Sequence, residues 1–319
     1  MNDKAAVAAQ WTELRTRLDR VVLGQNEVKD QLLVCLLTGG HALLEGVPGT
    51  GKTLLALSLA RLLDCRFKRI QFTPDLMPAD LLGTNIFDQK ERDFVFRPGP
   101  IFTDVLLADE INRTPPRTQA ALLEAMQEKS VTIDGQRRVV SPVFTVLATQ
   151  NPVEFEGTYP LPEAQRDRFL MKIAIDYPNA DEEVAILESY ASGRRLHDDA
   201  LAELTPVMNP DTLYAARAQA AAITVERDLL AYIHALVAAT RDHEWVQIGA
   251  GPRASLALLE TSRARALLAG RDFVTPDDVK AMTGAVLIHR LILEPEAEME
   301  GVSVDDLLER LFAQVPVPR

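Results

Sequence analysis

Gly46-Val47-Pro48-Gly49-Thr50-Gly51-Lys52-Thr53, the octapeptide GVPGTGKT, decides the reading of this chain. It fits G-x-x-x-x-G-K-[S/T], a loop whose glycines let successive backbone N–H groups turn inward around phosphate oxygens. The pattern is informative only between a strand and a helix, and both flanks comply. Before it stands the short apolar run His41–Glu45 (HALLE). After it, Lys52–Leu63 carries Leu54, Leu55, Leu57, Leu59, Leu62 and Leu63. A helix starting here adds the positive end of its dipole to the loop. The expectation is a nucleoside triphosphate site formed by Gly46 through Leu54, with Lys52 on the β- and γ-phosphates and Thr53 on Mg2+.

Working outward, four more short apolar runs suit strands: Phe67–Thr73, Val105–Glu110, Phe144–Asn151 and Phe169–Ile175. Continuous apolar runs without strict alternation suit strands buried on both faces of a parallel sheet. Helical patterns lie between several of them, among them Arg117–Glu128, so an α/β sheet with right-handed crossovers is predicted. Val105-Leu106-Leu107-Ala108-Asp109-Glu110 ends in two acids. Asp109 suits the Mg2+ shell, and Glu110 suits a base that orients water, which favours hydrolysis over transfer. The next strand ends in Gln150-Asn151-Pro152, which would set Asn151 beside the γ-phosphate at the carboxyl edge of the sheet. Residues 83–100 and 130–142 read as β-hairpins, the second around the turn signal Asp134-Gly135. After Tyr177-Pro178-Asn179 helical patterns take over. Thr275-Pro276-Asp277-Asp278 and Ser303-Val304-Asp305-Asp306 both have the form of helix starts. A boundary near residue 180 follows, giving a core of residues 1–180 and a helical part of residues 181–319.

The composition limits the alternatives. The 319 residues hold 47% hydrophobic and 25% charged side chains, ample for a buried core, and a net charge of −12. That charge argues against a coat on nucleic acid or on a lipid surface. It is unevenly spread: residues 1–180 carry 21 basic and 23 acidic side chains, residues 181–319 carry 13 and 23. Cys35 and Cys65 are too few for a disulfide framework or a cysteine zinc site. His41, His197, His234, His243 and His289 are scattered without metal-ligand spacing. Met1–Trp11 has no signal-peptide run, and no stretch reads as a membrane span, so a cytoplasmic protein is expected. No N-K-x-D guanine signature is present.

The set GVPGTGKT, LLADEINRTPPRTQAALLEAMQE (Leu106–Glu128), ATQNP (Ala148–Pro152), EGTYPLPEAQRDRF (Glu156–Phe169) and GPRAS (Gly251–Ser255) resembles the MoxR family of AAA+ ATPases. The resemblance runs from about Val22 to the end of the helical part. It implies an α/β AAA+ core with a five-stranded parallel sheet and an all-helical C-terminal lid, acting on ATP with Mg2+. The hairpins are similar to the helix-2 insert and the pre-sensor-1 hairpin, elements that face the centre of a ring. By the same resemblance Asn151 corresponds to sensor 1, and Gly24-Gln25 to the segment against the adenine. Arg168 corresponds to an arginine finger reaching the neighbouring subunit, and Arg253 to sensor 2, reaching the chain's own nucleotide. Arg166 stands where the family commonly has an apolar residue, and Gly251 where it often has serine. The implied role is a homo-oligomeric ring, a hexamer, that remodels or matures a protein client beside a partner with a von Willebrand factor A domain. Two related readings remain at this level: a nucleic-acid motor, whose support is Arg137-Arg138, and a magnesium-chelatase-like subunit.

Overall fold

The fold was analysed on a computed structural model that describes residues 3–90, 92–152, 157–193, 195 and 199–318. Glu91 of the first hairpin, Glu156 of the EGTYP stretch and His197 lie outside the described residues. The chain begins with α1 (Asp3–Asp19), α2 (Asn26–Thr38), β1 (Ala42–Glu45), α3 (Lys52–Leu62) and β2 (Phe67–Gln71). It continues through α4 (Pro78–Leu82), β3 (Gly83–Asp88), β4 (Asp93–Pro98), β5 (Val105–Asp109), a 3-10 turn (Ile111–Arg113) and α5 (Pro116–Glu128). Then come β6 (Ser130–Ile133), β7 (Gln136–Val139), β8 (Thr145–Gln150), α6 (Glu163–Arg166) and β9 (Met171–Ala174).

Five strands form one parallel sheet in the order β2-β5-β8-β1-β9. Parallel neighbours cannot be joined by a tight turn, so helices make the crossovers. The apolar runs locate the central strands well: β5 is buried at every position and β8 at all but the last. Phe67–Gln71 departs from the expectation of burial on both faces. It is an edge strand, with Lys68, Arg69 and Gln71 exposed. Both inserts are antiparallel hairpins, β3 with β4 and β6 with β7. In the second, Asp134 and Gly135 take positive φ values of 50° and 76°, which a two-residue turn between right-twisted strands demands.

From Ala180 the chain is almost wholly helical: α7 (Ala180–Ala191), α8 (Pro210–Ala221), α9 (Arg227–Ala239), α10 (Pro252–Leu268), α11 (Pro276–Leu287), α12 (Pro295–Met299) and α13 (Val304–Gln314). One short ribbon interrupts it, β10 (Val246–Ile248) antiparallel to β11 (Ile292–Leu293). Both expected helix starts are reciprocal caps, Thr275 with Asp278 and Ser303 with Asp306.

The apolar core does not divide at residue 180. A single buried cluster runs from Trp11 and Leu14 in α1, through Leu32 and Leu36 in α2, to Leu258 and Leu267 in α10. Polar ties cross the same junction. Arg217 of α8 donates to the carbonyls of Leu36 (2.9 Å), Pro142 (3.3 Å) and Val143 (3.3 Å). Arg61 of α3 donates to Leu201 O at 2.6 Å. Among the described residues no helix is long and apolar enough to cross a membrane.

Within the helical part, Asp278 is only 2% exposed. It accepts the Arg271 fork at 2.7 and 2.6 Å and the Thr275 N–H at 2.9 Å. Burial alone would raise its pKa, but these donors outweigh it and hold the carboxyl below its ordinary range. Asp278→Ala should lower unfolding stability by about 1.5–3 kcal/mol in urea titration, because the Arg271 fork and the Thr275 N–H lose a charged acceptor. In the wild-type chain this contribution is complete above the unfolded carboxyl's pKa of about 3.9 and is lost as pH falls through the lower folded value.

Candidate active site

The loop between β1 and α3 is built by backbone requirements. Gly51 precedes the helix with φ +83°, and Gly49 has φ +86°, both in the left-handed region. Gly46 is required for a different reason: a Cβ there would stand 2.2 Å from the Ile175 carbonyl oxygen. Lys52 folds back over the loop, its Nζ donating to Gly46 O (2.6 Å) and Val47 O (2.8 Å). Burial lowers the Lys52 pKa, and the nearby Asp109 and Glu110 charges partly oppose that. An ammonium held by two carbonyls is a cation waiting for a stronger acceptor, and phosphate oxygens supply one.

These groups open on a cleft of ≈ 520 Å3. The carboxyl ends of β1, β5 and β8 converge there, so Lys52, Thr53, Leu54, Asp109, Glu110 and Asn151 line it together with loop residues 46 and 48–51. Gln25 lines it too, and its Nε2 donates to Thr50 O at 2.9 Å, so this side chain braces the phosphate loop. Gln25 Oε1 is buried without a partner. Two residues of the expected nucleotide-binding segments, Gly24 and Val47, do not line the cleft. Gly24 faces away, where a Cβ would collide with the Glu182 carboxylate at 2.0 Å, and Val21, Val22 and Leu23 supply the apolar wall instead. Val47 contributes its carbonyl, which accepts from Lys52 and from Thr50 Oγ1 at 3.1 Å.

Three cleft groups, Arg69, Gln71 and Thr149, and Arg113 beside them escape a reading of the motifs alone. Arg69 Nε donates to Asp109 Oδ2 at 2.7 Å, and Thr149 Oγ1 donates to Asp109 Oδ1 at 2.9 Å. Gln71 Nε2 donates to Glu110 Oε2 at 2.7 Å, and Arg113 pairs with the same oxygen at 3.0 Å. Glu110 itself has φ +56°, a left-handed conformation uncommon for a residue with a side chain. Arg69 and Gln71 lie two apart on β2, so they share a strand face, a signal present in FKRIQ. Their targets depend on β2 pairing with β5, in the register Gln71 opposite Asp109.

The two remaining arginines of the expected set sit elsewhere. Arg168 and Arg253 line a second cleft, of ≈ 280 Å3. Both are exposed; Arg168 Nη1 donates to Leu123 O at 3.1 Å, and Arg253 Nη1 meets Asp167 Oδ2 at 3.3 Å. Arg253, expected by resemblance to reach the chain's own nucleotide, lines this second cleft and not the one around the phosphate loop. The first turn of α10 lies against the Asp167–Leu170 segment, and Asp167 draws the guanidinium there rather than toward the phosphate loop. Arg166, the departure from the family pattern, is half-buried, with its Nε lacking a partner. His41, beside this cleft, is a core group: Nδ1 accepts from Val146 N (2.9 Å), Nε2 donates to Met126 O (3.1 Å), and burial lowers its pKa to about 4.

A phosphate loop, a strand-end acid pair and a polar strand-end amide on a five-stranded parallel sheet with a helical lid define a P-loop ATPase fold of the AAA+ class. Residues 41–171 match the ATPase family associated with various cellular activities (AAA), and residues 238–311 match the AAA lid domain. The chain is 44% identical to protein YeaC of Bacillus subtilis over 94% of this chain and 92% of that one. It is 42% identical to Chaperone MoxR1 of Mycobacterium tuberculosis over 94% and 80%, and 33% identical to Protein MoxR of Methylorubrum extorquens over 98% of each. Its fold superposes on the crystal structure of a Cytophaga hutchinsonii protein assigned to the ATPases, with TM-score 0.91, 39% identity, and coverage of 99% and 98%. The chain belongs to the MoxR family of AAA+ ATPases.

Gly46→Ala should push the loop off Ile175 and weaken ATP-analogue binding at least ~10-fold, about 1.4 kcal/mol, in a fluorescence titration.

Proposed function

We propose that the chain hydrolyses ATP as a homo-oligomeric ring, a hexamer, and uses the cycle to remodel a protein client. One observation carries this reading. Lys52, Thr53, Asp109, Glu110 and Asn151 share one cleft, whereas Arg168 and Arg253 lie exposed together at another. Two exposed arginines outside their own phosphate-loop cleft fit a second copy's triphosphate, and a heterologous contact of that kind closes into rings.

In this scheme the inward N–H groups of residues 46–51 bind the phosphates, and Lys52 exchanges its two carbonyl partners for them. Thr53 and Asp109 present hard oxygen donors to the same cleft, a set that fits Mg2+ completed by phosphate oxygens and water. When bound, that ion neutralises charge on the transferring phosphate. Glu110 takes the proton of the attacking water as the new P–O bond forms and the β–γ bridge breaks, releasing ADP and phosphate. Asn151 orients that water. Gln71 and Arg113 hold Glu110 Oε2 in the meantime, so the base must leave them to act. The arginines of the next copy stabilise charge that grows at the transition state.

Protein clients suit the hairpins better than nucleic acid does. Ile86, Phe87, Phe94 and Val95 are exposed on the first hairpin, Phe94 by 67%. The pair Arg137-Arg138, the basis of a nucleic-acid reading, is engaged internally: Arg137 Nε donates to Ser130 Oγ at 2.9 Å, and Arg138 stacks 3.8 Å over Phe96. Asn85 also donates to Asp134, so the two hairpins are joined at side chains. Residues 1–180 then act as the motor and residues 181–319 as its lid, in the cytoplasm. A partner with a von Willebrand factor A domain belongs to this reading, with the acid surplus of residues 181–319 as its docking charge; co-purification tests it.

Two measurements check the chemistry. Glu110→Gln should keep ATP binding while losing roughly 10²–10⁴-fold in turnover, the usual worth of a general base; wild-type turnover would place the base elsewhere. Mixing Arg168→Ala with Lys52→Ala subunits should restore part of the ATPase activity that each lacks alone. Absence of rescue at every ratio would remove the trans arginine.

A further inference from the structure

Arg290 lies in the turn between α11 and β11, in the lid, yet nearly every group it touches belongs to the core. Its side chain is 4% exposed. Nε donates to Asp167 Oδ1 at 2.8 Å, and Nη2 to Phe169 O at 2.7 Å and Asp167 O at 3.4 Å. Nη1 donates to Leu170 O at 3.0 Å and to Val286 O of the preceding α11. The neighbouring His289 adds Nε2–H to the same Phe169 carbonyl at 3.0 Å. Backbone carbonyls on both sides of Arg168 therefore accept from one lid guanidinium. The segment is pinned from the core side as well, by Phe169 in the sheet cluster and by Leu170 N on His41 O at 2.8 Å.

We propose that Arg290 is a positioning residue for Arg168, carrying the lid's position into the aim of the arginine that serves the next copy. This rests on the trans reading of Arg168 given above. A planar fork with five donors suits the task, because it fixes several acceptors at once where an ammonium would fix fewer. The lid also walls the nucleotide cleft through Ile186 and Tyr190 of α7. A nucleotide that shifts the lid in one copy would then re-aim the arginine presented to its neighbour, which couples successive sites.

The test uses complementation between full-length subunits. Arg290→Gln subunits alone should turn over ATP about 10²-fold more slowly, the scale of a catalytic group displaced by roughly 1 Å. Their affinity for an ATP analogue should stay within about twofold of wild type, a change under ~0.5 kcal/mol. Mixed with Lys52→Ala subunits, which keep a sound Arg168, they should recover activity; mixed with Arg168→Ala subunits they should not. Arg290→Lys should restore only part of the loss. Equal rescue by Arg168→Ala subunits, lost nucleotide affinity, or wild-type turnover overturns the proposal. Should Arg290→Gln fail to fold, Asp167→Asn must show the same complementation pattern, and rescue by Arg168→Ala subunits overturns it there. The Arg168→Ala with Lys52→Ala mixture separates the two levels. If that control stays inactive, the trans arginine falls and Arg290 with it. If it recovers while Arg290→Gln breaks the pattern, only the present proposal falls.

Discussion

Parallel pairing of β1, β5 and β8 sends three strand ends to one edge of the sheet, and the rest of the site depends on that constraint. Residues far apart in the chain reach one cleft because Asp109, Glu110 and Asn151 sit at or just beyond strand ends and the loop after β1 opens at the same edge. The same edge gathers two adjacent acids on β5 and two cationic or amide side chains on β2, so the carboxylates are neutralised locally when no phosphate is present. Arg69 and Thr149 share Asp109, while Gln71 and Arg113 share Glu110. Each acid thus carries its own restraint, and binding proceeds by exchange of partners rather than by exposing bare charge.

The sheet and the phosphate loop were legible because their signals are local. An apolar run of buried strand length, a glycine pattern before a helix, and Asp-Gly between two short strands each state their own geometry. The helix starts at Thr275 and Ser303 were legible for the same reason, since a capping box closes within a single turn. What the sequence did not display was adjacency between segments. FKRIQ gives a strand with Arg69 and Gln71 on one face, but nothing local says that β2 is an edge or that β5 is its neighbour. Arg253 shows the same gap more sharply. Its motif marks a lid arginine at a helix start, while Asp167, distant in sequence, decides which cleft it lines.

The uneven charge looks different once the junction is seen. Part of the small basic complement of residues 181–319 is spent inside: Arg217 and Arg290 are turned into the core, where they meet carbonyls and an acid of residues 1–180. The surface of the lid is therefore more acidic than its composition alone suggests. An arginine used this way works as a clamp on backbone carbonyls, where its fixed charge matters less than its fork of donors.

α7 differs from α8 to α13 in one respect: it has no buried residue along its length, and Val184, Leu187 and Tyr190 are exposed. It nonetheless forms one wall of the nucleotide cleft. A helix with so little apolar surface removed from water contributes little to global stability and opens at low free energy. The wall of the cleft is thus the cheapest part of the lid to rearrange. Entry and release of nucleotide can then begin with a local breathing of this one helix, ahead of any shift of the lid as a whole.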